Sequence, residues 1–255
     1  MTGMETSALD GRVAVITGAS RGLGRAIALS LSSAGAKIAL VARDMDALNA
    51  VAEHIRSAGG EAEVFRADVT DEEQVRRIKT EIVTRFGHVD ILVNNAGINI
   101  RKPLEGYRLD EWERVLTTNL TSAFLMCRSL IPQMKGRGYG RIINLTSTMS
   151  HVSLPGRTAY SASKFGLLGL TKALALELAG EGISVVAVSP GPFATDMNTP
   201  LIEDAEMNRR FVSKIPAGRW GNPEEVGELV RYLCQPEAGF ITGTDILIDG
   251  GWTAQ

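Results

Sequence analysis

Two rhythms of apolar residues alternate along the chain. Short β-branched or apolar runs at Val13–Thr17, Lys37–Val41, Glu63–Ala67, Ile91–Val93, Arg141–Thr146, Ser184–Val188 and Asp245–Ile248 have the length and composition of strands. Between them apolar residues recur at helical spacing. Val75, Ile78, Ile82 and Phe86 make one stripe; Trp112, Val115, Leu116, Leu120, Ala123, Phe124 and Cys127 make another. Strands as apolar as AVIT and ISVVAV are buried on both faces, as in a parallel sheet covered by helices. With no break in composition, the pattern predicts one α/β domain over residues 1–255. Its architecture is a doubly wound Rossmann-type fold, a seven-stranded parallel sheet with helices on both faces. The least regular stretch, Pro190 to Arg219, holds Pro192, Pro200, Pro216, Gly191 and a charged helical segment around Glu203–Arg210. Lying beyond a strand end, it is expected to form a lid over a site.

Composition narrows the function classes. The 255 residues are 44% hydrophobic and 22% charged, the balance of a globular chain rather than a disordered or fibrous one. Lys and Arg (27) nearly match Asp and Glu (29), so nucleic acid loses its main attraction. Cys127 and Cys234 fit neither a disulfide framework nor a zinc site, and within predicted helices they read as core residues; no metal is expected. The N-terminal MTGMETSALDG lacks the basic start and apolar stretch of a signal peptide. No apolar run approaches the ~18 residues that span a bilayer, so no membrane partner and a cytoplasmic location are expected.

After the first strand comes Thr17-Gly18-Ala19-Ser20-Arg21-Gly22-Leu23-Gly24, opening a helix to about Ala34. Glycines there let the backbone approach a pyrophosphate, and the helix start offers free N–H groups and a positive dipole end. The same residues match the Gly-x-Ser-x-Gly elbow of α/β hydrolases. That chemistry needs a later acid and a histidine. His54 lies mid-helix, His88 in a turn, and His151 has no obvious carboxylate following it in order. Ser161-Ala162-Ser163-Lys164 matches Ser-x-x-Lys, but neither Ser-Asp-Asn nor Lys-Thr-Gly follows.

Tyr160 and Lys164, four apart near a helix start, share one helix face. A free phenol titrates near ~10; a neighbouring ammonium, or a cationic nicotinamide, favours the phenolate. Ser147 follows the strand RIINLT, at the strand ends where open α/β sheets bind ligands, with a hydroxyl suited to a substrate carbonyl. Asn119 interrupts an apolar stripe, so its amide is either a structural bridge or part of a proton path.

With TGASRGLG at 17–24, NNAG at 94–97, Asn119, Ser147, Tyr160-x-x-x-Lys164 and Pro190-Gly191 in order, the sequence resembles the short-chain dehydrogenase/reductase family over almost its whole length. The resemblance implies a nicotinamide-dependent oxidoreductase of CH–OH and C=O groups with an Asn-Ser-Tyr-Lys tetrad. Tyr160 would be the general acid/base, and Ser147 would orient the carbonyl. Lys164 would lower the tyrosine pKa and bind the ribose, and Asn119 would hold a relay water. Gly18, Ser20, Arg21, Gly22, Leu23 and Gly24 would line the pyrophosphate, Asp68 and Val69 the adenine, and Asn95, Ala96 and Gly97 the cofactor's flank. Pro190, Gly191 and Thr195 would lie at the nicotinamide.

After the second strand the chain reads Val41-Ala42-Arg43-Asp44. Ala42 stands where the family's NAD users carry an acid; Arg43 and Arg21 suit a 2′-phosphate, so NADP(H) is favoured over NAD(H). Asp44 reads as the N-cap of a helix starting near Met45. The apolar helices bearing Asn119 and Tyr160 point, with the family's habit, to a homotetramer. NAGINIRKP, IPAGRWG (Ile215–Gly221) and DGGW (Asp249–Trp252) resemble the family's sugar-acid members, the gluconate 5-dehydrogenases and 2-deoxygluconate 3-dehydrogenases. Arg101 and Lys102 are placed to meet a substrate carboxylate. The alternative is a 3-oxoacyl-[acyl-carrier-protein] reductase, whose pocket needs an apolar channel instead. Met197, Leu201, Ile202 and Phe211 with Asn198 and Glu203 on the expected pocket wall leave that choice open.

Overall fold

A computed structural model describes residues 8–255. The sheet order is β3-β2-β1-β4-β5-β6-β7, and every neighbouring pair is parallel. The strands are β1 (Val13–Thr17), β2 (Lys37–Ala42), β3 (Ala62–Arg66), β4 (Ile91–Asn94), β5 (Gly140–Leu145), β6 (Ile183–Pro190) and β7 (Asp245–Ile248). All seven expected strands are present, with ends shifted by a residue or two. The sign of the shift has a physical cause: β6 continues through Ser189 and Pro190 because β7 pairs with them, Pro190 opposite Ile248.

Alternation along β1 shows how the layers form. Ala14 and Ile16 point into a core built with α1 (Gly22–Ser33), α2 (Met45–Ser57) and α9 (Pro223–Leu233). Val15 points into the other, against α3 (Glu72–Phe86), α5 (Ser122–Met134) and α6 (Thr158–Leu178). Each parallel crossover needs a helix, and helices on both faces bury both sides of the strands. Asp44 caps α2 through Ala47 N, as the sequence suggested.

The second apolar stripe departs from expectation. It is divided between α4 (Leu109–Leu116) and α5 by a π-helical turn at Thr117–Thr121. The turn adds a residue to one revolution, which rotates everything beyond it by about 100°. Phe124, expected on the buried stripe, is 44% exposed, whereas Ala123 and Cys127 of the same stripe are buried. The segment beyond β6 folds into a short turn at Asp196–Asn198, then α7 (Thr199–Glu203) and α8 (Ala205–Val212). The side chains of Met197 and Pro200 lie outside the described part, as do residues 1–7, which include most of the N-terminal MTGMETSALDG. Among the described residues no helix is long and apolar enough to cross a membrane.

Chain order reverses direction at β1, whose neighbours are β2 and β4. The carboxyl ends of β1, β4, β5 and β6 therefore open on one crevice, and the loops that follow them carry the residues of interest.

Candidate active site

The glycine turn and the NNAG segment form one platform. Asn95 Nδ2 donates to Thr17 O (2.9 Å) and Gly18 O (3.1 Å), while Thr17 Oγ1 accepts from the backbone N–H groups of Asn95 (3.0 Å) and Ala96 (3.1 Å). Gly18 has φ +63°, a conformation that disfavours a side chain. A Cβ on Gly24 would strike the Gly18 carbonyl and come within 2.5 Å of Asn95 Nδ2, so the helix and the turn are in backbone contact. Leu23 packs against the core beneath, and Ser20 is half-buried on the turn.

Three helices, α2, α3 and α8, begin with an aspartate accepting from first-turn N–H groups. Helix α1 begins with Arg21 instead, has no side-chain cap and no acid in its first turn. Its leading N–H groups and dipole end thus face the crevice without an anion of the protein's own, which fits a dinucleotide pyrophosphate. Arg21 is exposed and forms a loose pair with Asp196 (3.8 Å), and Thr195 lies against Gly22. Gly191, following Pro190, approaches Asp249 just beyond β7.

At the ends of β2 and β3, Arg43, Arg66, Ala67, Asp68, Gln74 and Arg77 line an open cleft. Burial tends to raise the Asp68 carboxyl, but hydrogen bonds from Thr70 and the charge of Arg43, 3.6 Å away, hold it below the usual carboxylate range. Val69, beside it, is buried. Arg66 belongs with Arg43 in this cleft, although sequence reasoning passed over it; its place at the end of the third strand was the available signal.

Deeper in the crevice the four residues Asn119, Ser147, Tyr160 and Lys164 come together. Lys164 is buried, its Nζ donates to Leu145 O at 2.6 Å, and it lies 5.7 Å from the centre of the Tyr160 ring. Burial pushes its ammonium down to about 8. Ser147 Oγ accepts from Met149 N (3.1 Å) and its hydroxyl also meets the Tyr160 phenol. Asn119 stands in the π turn with Oδ1 accepting from Ile98 N (2.8 Å), and its Nδ2 donates to Ile98 O (2.9 Å) and Ser163 Oγ (3.0 Å). Both donors are used within the protein, so the amide is a structural bridge between the β4 loop and α6. Gly97 separates Asn119 from Lys164: a Cβ there would stand 3.4 Å from Asn119 Oδ1 and 3.7 Å from Lys164 Nζ.

The phenol itself corrects one expectation. Burial raises the Tyr160 pKa above its ordinary value, and this outweighs the Ser147 hydrogen bond and the charges of Arg157 and Arg101, which lower it. Lys164 is not among the groups that lower it; its Nζ donates to Leu145 O.

Two further expectations change. Lys102 is bound to both carboxylate oxygens of Glu111 (2.7 and 2.8 Å), so it is not free to take a substrate anion. Arg101 reaches only the neutral Asn198 Oδ1, at 3.4 Å. His151 does have a later carboxylate: its Nε2 is 2.7 Å from Asp245 Oδ2, which also accepts from Ser189 Oγ at 2.7 Å. Here the acid stands between histidine and serine, whereas a hydrolase triad has the histidine in the middle. Ser189 Oγ also lies 2.9 Å from Ser147 O, so this cluster, its side chains buried except for that of His151, abuts the backbone of Ser147. Cys127 and Cys234 are buried free thiols, each pushed up to about 12 by burial. Among the described residues no cluster of His, Cys, Asp or Glu has the makings of a metal site.

Comparison with known proteins agrees with this fold. A family model described as enoyl-(acyl carrier protein) reductase matches residues 18–253. A 3-oxoacyl-[acyl-carrier-protein] reductase of Synechocystis sp. is 41% identical over 247 residues, 96% of this chain and 98% of that protein. One from Aquifex aeolicus is 40% identical, covering 95% and 98%. Among solved structures, a proposed gluconate dehydrogenase of Agrobacterium tumefaciens superposes with a TM-score of 0.93 at 39% identity, covering 97% of this chain and 98% of that one. A proposed NAD(P)-dependent gluconate 5-dehydrogenase of Beutenbergia cavernae, with NADP bound at low occupancy, gives 0.92 at 40% identity over 98% and 100%.

Proposed function

Because the chain belongs to the short-chain dehydrogenase/reductase family, and so is an oxidoreductase acting on CH–OH and C=O groups, we propose that it interconverts a keto sugar acid and its secondary alcohol with NADP(H), using Tyr160 as the acid/base. The observation that carries this reading is the Tyr160 phenol, flanked by the Ser147 hydroxyl and the Lys164 ammonium above the glycine platform.

The dinucleotide, when bound, supplies or accepts the hydride. Gly18, Ser20, Gly22, Leu23 and Gly24 hold its pyrophosphate against the uncapped start of α1. Arg43, Arg66, Asp68 and Val69 enclose the adenosine end, while Asn95, Ala96, Gly97, Pro190, Gly191 and Thr195 flank the other. Ser147 donates to the substrate oxygen and fixes its position. In reduction Tyr160 gives its proton to that oxygen, and in oxidation it removes one. A phenol held high by burial stays protonated at neutral pH, ready to act as acid. Lys164 holds the ribose and balances the phenolate left behind, and Asn119 fixes the loop against which a proton-carrying water would sit. The segment 190–219 closes over the bound substrate.

General acid–base catalysis contributes about 10²–10⁴-fold, so Tyr160→Phe should lose at least that in turnover and retain dinucleotide binding. Near-normal turnover in the variant would remove Tyr160 from the mechanism. Arg43 and Arg66 favour a 2′-phosphate, and kcat/KM measured with NADPH and NADH is expected to favour NADPH. A preference for NADH refutes that choice.

A second reading, reduction of a 3-oxoacyl group carried by acyl carrier protein, is favoured by the curated relatives at 40–41% identity. A panel of gluconate, keto-gluconates and acetoacetyl thioester separates the two. Turnover of the thioester without any sugar acid would establish the second.

A further inference from the structure

Two loops meet beside Tyr160, and each brings an arginine. The Lys102 N–H donates to Gly156 O at 3.2 Å, joining the loop after β4 to the loop before α6. The residues flanking that bond are Arg101 and Arg157. Arg157 is half-buried at the start of α6, yet its guanidinium has no carboxylate or hydrogen-bond partner among the described residues. Arg101 has only its long contact to Asn198. The neighbouring cations Lys102 and Arg108 are matched, Lys102 on Glu111 and Arg108 on Asp110.

Two unpaired guanidinium groups held near one another, one of them half-buried, are an unfavourable arrangement unless an anion comes between them. Burial and the charge of Arg101 both push the Arg157 pKa down, which is the signature of that repulsion. Both guanidiniums also act on the Tyr160 phenol, so an anion bound between them lies next to the reacting centre.

We propose that Arg157 and Arg101 form a two-guanidinium receptor for an oxyanion of the substrate, so that the enzyme selects ketones and alcohols bearing a carboxylate, or an equivalent oxyanion, close to the reacting carbon. The proposal rests on the oxidoreductase reading above and extends it: Arg157 contributes specificity that neither Arg101 nor the tetrad supplies. A planar fork on each side matches a carboxylate through paired N–H bonds. A bound anion also cancels the positive field on the phenol, which favours the protonated tyrosine needed for reduction.

The test compares a keto acid with its methyl ester, the same skeleton without the charge, in wild type, Arg157→Gln, Arg101→Gln and Lys102→Gln. Wild type should favour the acid by at least thirtyfold in kcat/KM. Arg157→Gln and Arg101→Gln should each cut that ratio at least tenfold, chiefly through KM, the mark of a binding contact. Lys102→Gln, which removes a cation of the same loop that is already paired, should leave the ratio within twofold. Equal use of acid and ester by wild type, or an unchanged ratio in Arg157→Gln, overturns the proposal while leaving the hydride-transfer reading intact. If no ketone is reduced with either dinucleotide, that reading fails instead. Thermal shifts with malonate then decide the receptor: stabilisation of wild type that Arg157→Gln loses supports it, and no stabilisation overturns it.

Discussion

At Lys164 a chemical requirement and a stability requirement pull against each other. An ammonium beside the phenol is wanted by the proposed mechanism, but removing it from water lowers its pKa from the usual lysine value to about 8. Each unit of such a shift corresponds to about 1.4 kcal/mol, so the charged form costs on the order of 3 kcal/mol of folding stability. The sign is definite. Below pH 8 folded and unfolded chains are both protonated and the cost is fully present. Between about pH 8 and the unfolded lysine value, only the unfolded chain holds the proton, so stability contributed at this site rises with pH. Lys164→Met should therefore melt no lower than the parent at pH 7 without added dinucleotide, while losing activity. The difference in Tm between the two should move in the parent's favour as pH is raised to 9.5. A difference that does not vary with pH would show that the ammonium is not desolvated in the protein.

Among the elements, the glycine turn and the π turn do opposite things with backbone. Gly24 lets α1 touch the turn before it, and Gly24→Ala forces a Cβ against the Gly18 carbonyl, where no flexible atom can yield. Dinucleotide binding should weaken at least tenfold and Tm should fall, since overpacking costs roughly 1–3 kcal/mol. Titration followed by nucleotide fluorescence, with a melt alongside, checks both. The strands were readable because parallel strands buried on both faces are uninterrupted apolar runs, and the doubly wound parallel class followed from alternation with helices. The π turn was not readable, since apolar spacing runs through it without a break. Asn119 marked it all the same, as a lone amide on an apolar stripe. The same signal existed at Asn144, inside the strand RIINLT, where Asn94 Nδ2 donates to Asn144 Oδ1 (2.8 Å) and Asn144 Nδ2 to Thr171 Oγ1 (2.9 Å). The His151–Asp245 pair could not be read, because its members are 94 residues apart and meet only through sheet topology. Helix α8, in the stretch expected to form a lid, is fixed by a similar long-range contact: Phe211 stacks with Trp220 (4.7 Å) and with Trp252 (5.3 Å).

Over the whole molecule, apolar surface remains uncovered in places that a single chain does not need. Phe124 on α5 and Phe165 on α6 are 44% and 50% exposed, with Leu176 at 86% and Phe240 at 102%. Large exposed apolar side chains on neighbouring helices suit a self-complementary interface. We propose a homotetramer, and light scattering at micromolar concentration should return four times the chain mass; a monomer contradicts it. The last strand gives the fold a further property. Asp245 opens β7, bonds Ser189 and His151, and so props the backbone of Ser147, while Asp249 just beyond β7 lies against Gly191. A ribosome releasing this chain exposes the glycine turn first and these supports almost last. Both the supports of the proposed catalytic serine and helix α9, on which α1 packs, therefore emerge only near the end of synthesis.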